Sequence, residues 1–258
     1  MINNKILGVR FDNYTIDEFV HLIVQEIKAK KKFRIALSNP EFLLEARKRP
    51  ELKSYLNSIE FNVADGIGVV YASRLLHGVP LKERITGTDM LPRLIEKSRE
   101  NGFTFYFLGG KPGIAEKAKQ KFLELFDYKG VIGLHHGYFD ENLESVIIDE
   151  IRNIKPDILM VCLGNPKQEK WIQDNFHLLD AKLIFGNGGA LDYYSNNVKR
   201  APIWFQKNGL EWLYRLTQDF TWPRIKRQAR LFKFPFLVLA EYGKQGFKKV
   251  NRINEVFH

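Results

Sequence analysis

The chain has 258 residues, 45% of them hydrophobic, enough to bury a full core as one large domain or as one domain with an appendage. Its 40 Lys and Arg outnumber 30 Asp and Glu for a net charge of +10, with an excess of only 3 over residues 1–200 and of 7 over residues 201–258. A single cysteine, Cys162, excludes an intrachain disulfide; Met1 to Arg10 lacks the apolar stretch of a secretory signal, and the tail's longest apolar run, Phe234 to Ala240, is too short to span a bilayer.

Thr15-Ile16-Asp17-Glu18 has capping-box spacing and opens a helix through about Lys30, with Phe19, Leu22, Ile23 and Ile27 on one face. A strand over Phe33 to Leu37 follows. Ser38-Asn39-Pro40 then starts a helix, because Asn is a good N-cap and proline is preformed for the first helical position. A strand from Ile59 to Val63 leads through Ala64-Asp65-Gly66 into a helix over Ile67 to Leu76, and residues 78–87 form an irregular loop. From Thr88 the alternation is plain: helix to about 99, strand 103–108, helix 113–126, strand 130–133, helix 142–153, strand 157–163, helix 166–177, strand 182–186. This pattern predicts an α/β fold over residues 1–200, a mostly parallel Rossmann-like sheet with helices on both faces.

Beyond Arg200 only helices are predicted. Ile203 to Asp219 places Leu210, Leu213, Leu216 and Phe220 on one side, and Pro223 and Pro235 punctuate the rest. Residues 201–258 therefore form a basic, aromatic helical appendage holding Trp204, Trp212 and Trp222 with Phe232, Phe234 and Phe236. That composition suits a membrane interface. The expected location is the cytoplasm, against the membrane. A nucleic-acid partner would also explain the charge, but not three glycine-bearing strand ends, and none is expected.

Those strand ends are the most informative motifs. Phe103 to Leu108 runs into Gly109-Gly110-Lys111-Pro112-Gly113, Ile158 to Leu163 into Gly164-Asn165-Pro166-Lys167-Gln168-Glu169, and Leu183 to Phe185 into Gly186-Asn187-Gly188-Gly189. In an open α/β sheet ligands bind beyond the carboxyl ends of the strands, where glycines let backbone N–H groups approach an anion. A phosphate-bearing ligand is expected. The spacing fails the G-x-G-x-x-G dinucleotide signature, which disfavours a nicotinamide oxidoreductase.

Asp65 sits at a strand end beside a glycine, either as an Asp-Gly turn or cap, or as a carboxylate facing the crevice to accept a proton. Asn39 is equally explained by capping, and Asn165 with Gln168 by a capping-box-like pair. What favours function is their shared position at the carboxyl ends of strands. Arg84 can grip two oxygens of a diphosphate at once, or be a solvated loop arginine. No Asp-x-Asp triplet occurs, and His135-His136, taken as loop residues with diverging rings, lack a supporting cluster. Neither a metal nor a cofactor is expected.

Together these residues resemble the WecG/TagA/CpsF family of bacterial glycosyltransferases, family 26 of the sugar transferases, over nearly the whole chain. The marks are Asn39-Pro40, Ala64-Asp65-Gly66, Glu83-Arg84-Ile85-Thr86-Gly87, Leu108-Gly109-Gly110, Gly164 to Glu169, Gly186 to Gly189, Arg200-Ala201-Pro202 and Gly209 to Arg215. The resemblance implies inverting, metal-independent transfer of N-acetylmannosamine or its uronic acid from a UDP donor to undecaprenyl-diphosphate-linked N-acetylglucosamine, as in teichoic acid synthesis. It implies Asp65 as general base, with Asn39 and Arg84 beside it. Substrate contacts are expected from Ser38, Gly66, Thr86, Gly109, Gly110, Gly164, Asn165, Lys167, Gln168 and Gly188. The appendage would close over the pocket at an anionic membrane surface and bring Arg215, Arg224 and Arg227 to the lipid diphosphate. Family members often form dimers.

Overall fold

The computed structural model describes residues 4–198, 201–202, 204–205, 211–218 and 229–256. Six strands form one parallel sheet: β3 (Phe33–Ser38), β4 (Phe61–Ala64), β5 (Phe105–Gly109), β6 (Val131–His135), β7 (Ile158–Cys162) and β8 (Leu183–Gly186), in the order β4-β3-β8-β7-β5-β6. A short antiparallel hairpin, β1 (Lys5–Ile6) with β2 (Val9–Arg10), precedes them. The parallel sheet matches the predicted α/β class.

Strand residues alternate between two faces. Phe33, Ile35, Val63, Phe105, Phe107, Met160, Leu183 and Phe185 enter one core with α1 (Ile16–Lys28), α5 (Gly87–Asn101), α6 (Ile114–Phe126) and α9 (Ala190–Tyr194). Their sequence neighbours turn the other way. Ala36 and Ala64 pack with α2 (Pro40–Lys48), α3 (Pro50–Ser58) and α4 (Ile67–His77), while Tyr106, Leu108, Val161 and Ile184 pack with α7 (Glu141–Ile154) and α8 (Lys167–Asn175). The helices that follow the adjacent strands β3 and β8 thus leave to opposite faces, which opens a crevice between their carboxyl ends.

The capping box is present at Thr15 and Glu18. The hairpin, α3 and α9 are additions to the predicted elements. In the tail, α10 (Glu211–Gln218) and α11 (Lys233–Val256, preceded by a 3-10 turn at Arg230–Phe232) fall among the described residues. Pro235 does not break the chain there, as expected from sequence, but lies in the first turn of α11, where a missing N–H costs no helical hydrogen bond. Phe234 and Val238 bury against α2 and α4, and Glu241 Oε2 accepts the Leu7 N–H at 2.8 Å. The opposite side of α11 exposes Phe236, Leu239 and Tyr242, and the preceding turn exposes Phe232.

Candidate active site

Asp65 directly follows β4 and is half-buried; its N–H donates to Ser38 O at 3.0 Å, tying the ends of β4 and β3. Gly66 lies at φ +143°, and a Cβ there would stand 3.2 Å from Pro40 Cδ, so glycine lets this turn rest on the Asn39-Pro40 turn. Asn39 Oδ1 accepts the Phe42 N–H at 2.9 Å and caps α2. Its amide nitrogen is the end suited to donate to a ligand. Ser38 is fully buried, and its Oγ has no hydrogen-bond partner among the described residues.

The loop before α5 crosses this rim. Ile85 N donates to Ala64 O at 2.8 Å, which sets Arg84 beside the Asp65 turn. The Arg84 guanidinium is largely buried, with Nη2 3.3 Å from Asp89 Oδ2 and Nη1 3.3 Å from Glu211 Oε2 of α10. It is therefore no solvated loop arginine. Thr86, expected at the substrate, is a cap: its Oγ1 accepts the Asp89 N–H at 3.1 Å and donates to Asp89 Oδ2 at 2.7 Å.

From Gly87 the rim passes to β8, where Asn187 Nδ2 donates to Gly87 O at 3.4 Å and Asn187 N to Val161 O at 2.8 Å. Gln168 is only 4% exposed. Its amide lies over the β8 turn: a Cβ at Gly186 would collide with Gln168 Nε2, and one at Gly188 would stand 3.0 Å from Gln168 Oε1 and 3.2 Å from Gly164 Cα. Gly164 itself has φ +81°. Across β4, β3, β8 and β7, three strand spacings or about 14 Å, the rim brings together Asp65, Ser38, Asn39, Arg84, Gly188, Gly164 and Gln168.

Other expected residues sit farther out or serve the scaffold. A Cβ at Gly109 would strike the Cys162 carbonyl, and Gly110 N donates to Cys162 O at 3.2 Å, so this pair joins β5 to β7. Lys167 is exposed, with Nζ 5.8 Å from the Phe139 ring centre. Asn165 is exposed and does not cap α8: Pro166, after a cis peptide bond, holds the cap position without a side-chain bond. Gln168 does not reach back to Asn165 either, because its Nε2 donates to Glu169 Oε1 at 2.7 Å. Cys162 is buried, its Sγ donating to Asn187 O at 3.1 Å. His135 ends β6, and its ring centre lies 4.3 Å from that of His136 rather than diverging. Arg215 lies on α10 one turn beyond Glu211; Arg224 and Arg227 lie outside the described residues.

Sequence reasoning missed Glu169, a carboxyl 6% exposed and pushed up to about 7 by burial, against the bonds from Gln168 and from its own backbone N–H. The available signal was helical spacing: Gln168, Glu169, Ile172 and Asn175 share the buried side of α8 with Trp171.

A model of the Glycosyl transferase WecG/TagA/CpsF family matches residues 4–247. An N-acetylglucosaminyldiphosphoundecaprenol N-acetyl-beta-D-mannosaminyltransferase of Bacillus spizizenii is 34% identical over 227 residues, 87% of each chain. A protein of the same name from Staphylococcus aureus strain MRSA252 is 34% identical over 247 residues, 95% of this chain and 94% of its own.

Proposed function

Because the chain belongs to the WecG/TagA/CpsF family of glycosyltransferases, we propose that it moves N-acetylmannosamine from a UDP donor to undecaprenyl-diphosphate-linked N-acetylglucosamine. Acceptor and sugar are those in the names of the relatives similar to it. The observation that carries the proposal is the rim itself: one hydrogen bond, Ile85 N to Ala64 O, sets the Arg84 loop against the turn bearing Asp65.

The reaction proposed is a single inverting displacement. The acceptor hydroxyl oxygen attacks the anomeric carbon, its proton passes to an Asp65 oxygen, and the bond from that carbon to the UDP oxygen breaks with its electron pair leaving on the diphosphate. Positioned proton transfer of this kind contributes roughly 10²- to 10⁴-fold. Arg84 and the N–H groups of the glycine turns take up charge on the departing diphosphate, so the step is assigned no metal ion. Asn39 and Gln168 orient sugar hydroxyls.

The tail is assigned to the inner face of the cell membrane. The exposed stripe Phe232, Phe236 and Leu239 follows helical spacing and is flanked by exposed Arg230, Lys233 and Lys244, the arrangement of an interfacial helix. No helix among the described residues is long and apolar enough to cross a membrane. Basic side chains near an anionic leaflet add about 1 kcal/mol each, screened by salt.

The test is UDP release by the full chain with a synthetic prenyl-diphosphate N-acetylglucosamine, against a panel of UDP-sugars. Acceptor-dependent release from UDP-N-acetylmannosamine is expected; release only from its uronic acid or a UDP-hexose would reassign the donor, and none from any would reject the activity. Removing residues beyond 200 should abolish binding to anionic vesicles and most turnover on the lipid acceptor. Undiminished turnover would reject the tail's role.

A further inference from the structure

Glu169 is a buried ionisable group at the crevice that the proposed mechanism does not use. It lies in the first turn of α8, and its Oε1 accepts Gln168 Nε2 at 2.7 Å. Its Oε2 and the Gln168 Oε1 have no hydrogen-bond partner among the described residues. A glutamine amide has one donating and one accepting end, whereas an ionised carboxylate only accepts. The carboxylate therefore decides which end of Gln168 is occupied. With Nε2 held, Oε1 is the end left against the bare Cα positions of Gly188 and Gly164, where a Cβ on Gly188 would stand 3.0 Å away.

We propose that Glu169 is a positioning residue: its carboxylate holds the donor end of Gln168, so that Gln168 Oε1 is presented as a fixed acceptor for a hydroxyl or amide N–H of the sugar substrate at the Gly164 and Gly188 turns. This role presupposes the sugar transfer proposed for the crevice, and Asp65→Asn measured in the same assay reports on that activity separately.

Protonation of Glu169 would let its O–H donate to Gln168 Oε1 and turn the amide around. Tyr55 of α3, a titratable group on a neighbouring helix, interacts with Glu169; burial holds its phenol well above its ordinary value, and it stays neutral. Tyr55 in turn faces Arg34 and Glu60. The folded Glu169 is charged above about pH 7 and neutral below it, so presentation of Oε1 weakens as pH falls through that value. The sign for stability is opposite: the folded pKa is raised, so the cost of the buried charge is absent at acid pH and grows as pH rises to about 7.

The experiment is a cycle of wild type, Gln168→Ala, Glu169→Gln and the double variant in the full chain, with kcat/KM and Tm measured from pH 5 to 9. Glu169→Gln should lower kcat/KM at pH 8 by about tenfold, the size of one charge-assisted hydrogen bond, and less than twofold in the Gln168→Ala background. It should raise Tm at pH 8, with the gain shrinking toward pH 5. Activity within twofold of wild type while Asp65→Asn is inactive, an equal loss in both backgrounds, or a lowered Tm at pH 8 would overturn the role. Should Gln168→Ala be too slow to measure, the pH profile decides: a limb near 7 in wild type that disappears in Glu169→Gln supports it, and one that persists overturns it.

Discussion

The two ends of the crevice are built from different material. At β4 and β3 the groups on offer are side chains, Asp65 and Asn39 with the buried Ser38 next to them in the chain, and Arg84 is laid across by a backbone bond from Ile85 to Ala64. At β8 and β7 the rim is mostly bare backbone, Gly186, Gly188 and Gly164, with the Gln168 amide packed against it. Side chains can carry protons and charge; glycine turns give room for a bulky anion to approach main-chain N–H groups. The contrast suggests that chemistry belongs to the first end and ligand holding to the second. Substitutions at the two ends should then fail in different kinetic parameters.

The largest effect is expected at Asp65. Asp65→Asn keeps the size of the side chain and removes its basicity, so kcat should fall roughly 10²- to 10⁴-fold while UDP-sugar affinity, measured by calorimetry, stays within about threefold, well under the weight of one hydrogen bond to a charged group. Normal turnover would reject the base, and lost donor binding would place Asp65 with the ligand-holding groups. Arg84→Lys should cost less, about 10- to 100-fold in kcat/KM, because an ammonium replaces a planar fork with a point charge. An effect confined to stability would return Arg84 to the role of bridging Asp89 and α10.

Gly188→Ala tests the other end. Its Cβ would stand 3.0 Å from Gln168 Oε1 and 3.2 Å from Gly164 Cα, and Gly188 is not among the residues at positive φ. The fold should survive, with donor KM rising about tenfold and kcat within threefold, the pattern of lost uniform binding. A fall in kcat at unchanged KM would erase the division between the ends.

Much of this arrangement is legible in the sequence, for physical reasons that differ by residue. Strands such as Ile158–Cys162 are buried on both faces and read as continuous apolar runs, and the glycine turns after β5, β7 and β8 stand directly after such runs, whereas Asp65 follows the mixed strand Phe61–Ala64. The hairpin strands, two residues each, carry no periodicity to detect. Only Arg49 separates the end of α2 at Lys48 from Pro50, which opens α3, so two helices share one polar stretch. Gln168 had a sufficient local explanation as half of a capping pair, and only packing of α8 on α3 and β8 buries it with Glu169. No local pattern can join Arg84 to Glu211, 127 residues away.

That distant pair supports the smallest prediction, and it bears on how the tail meets the side-chain end of the crevice. Glu211 Oε2 lies 3.3 Å from Arg84 Nη1 in a largely buried setting, so a diphosphate reaching the same guanidinium must compete with a carboxylate already there. Glu211→Gln keeps a hydrogen-bond acceptor at that position and removes the negative charge. It should lower the donor KM about two- to threefold, about 0.4 to 0.7 kcal/mol, as expected where solvent still screens part of the interaction, with kcat unchanged. A donor KM that rises instead would mean that Glu211 holds Arg84 in its working orientation, making α10 a structural member of the side-chain end rather than a competitor for it.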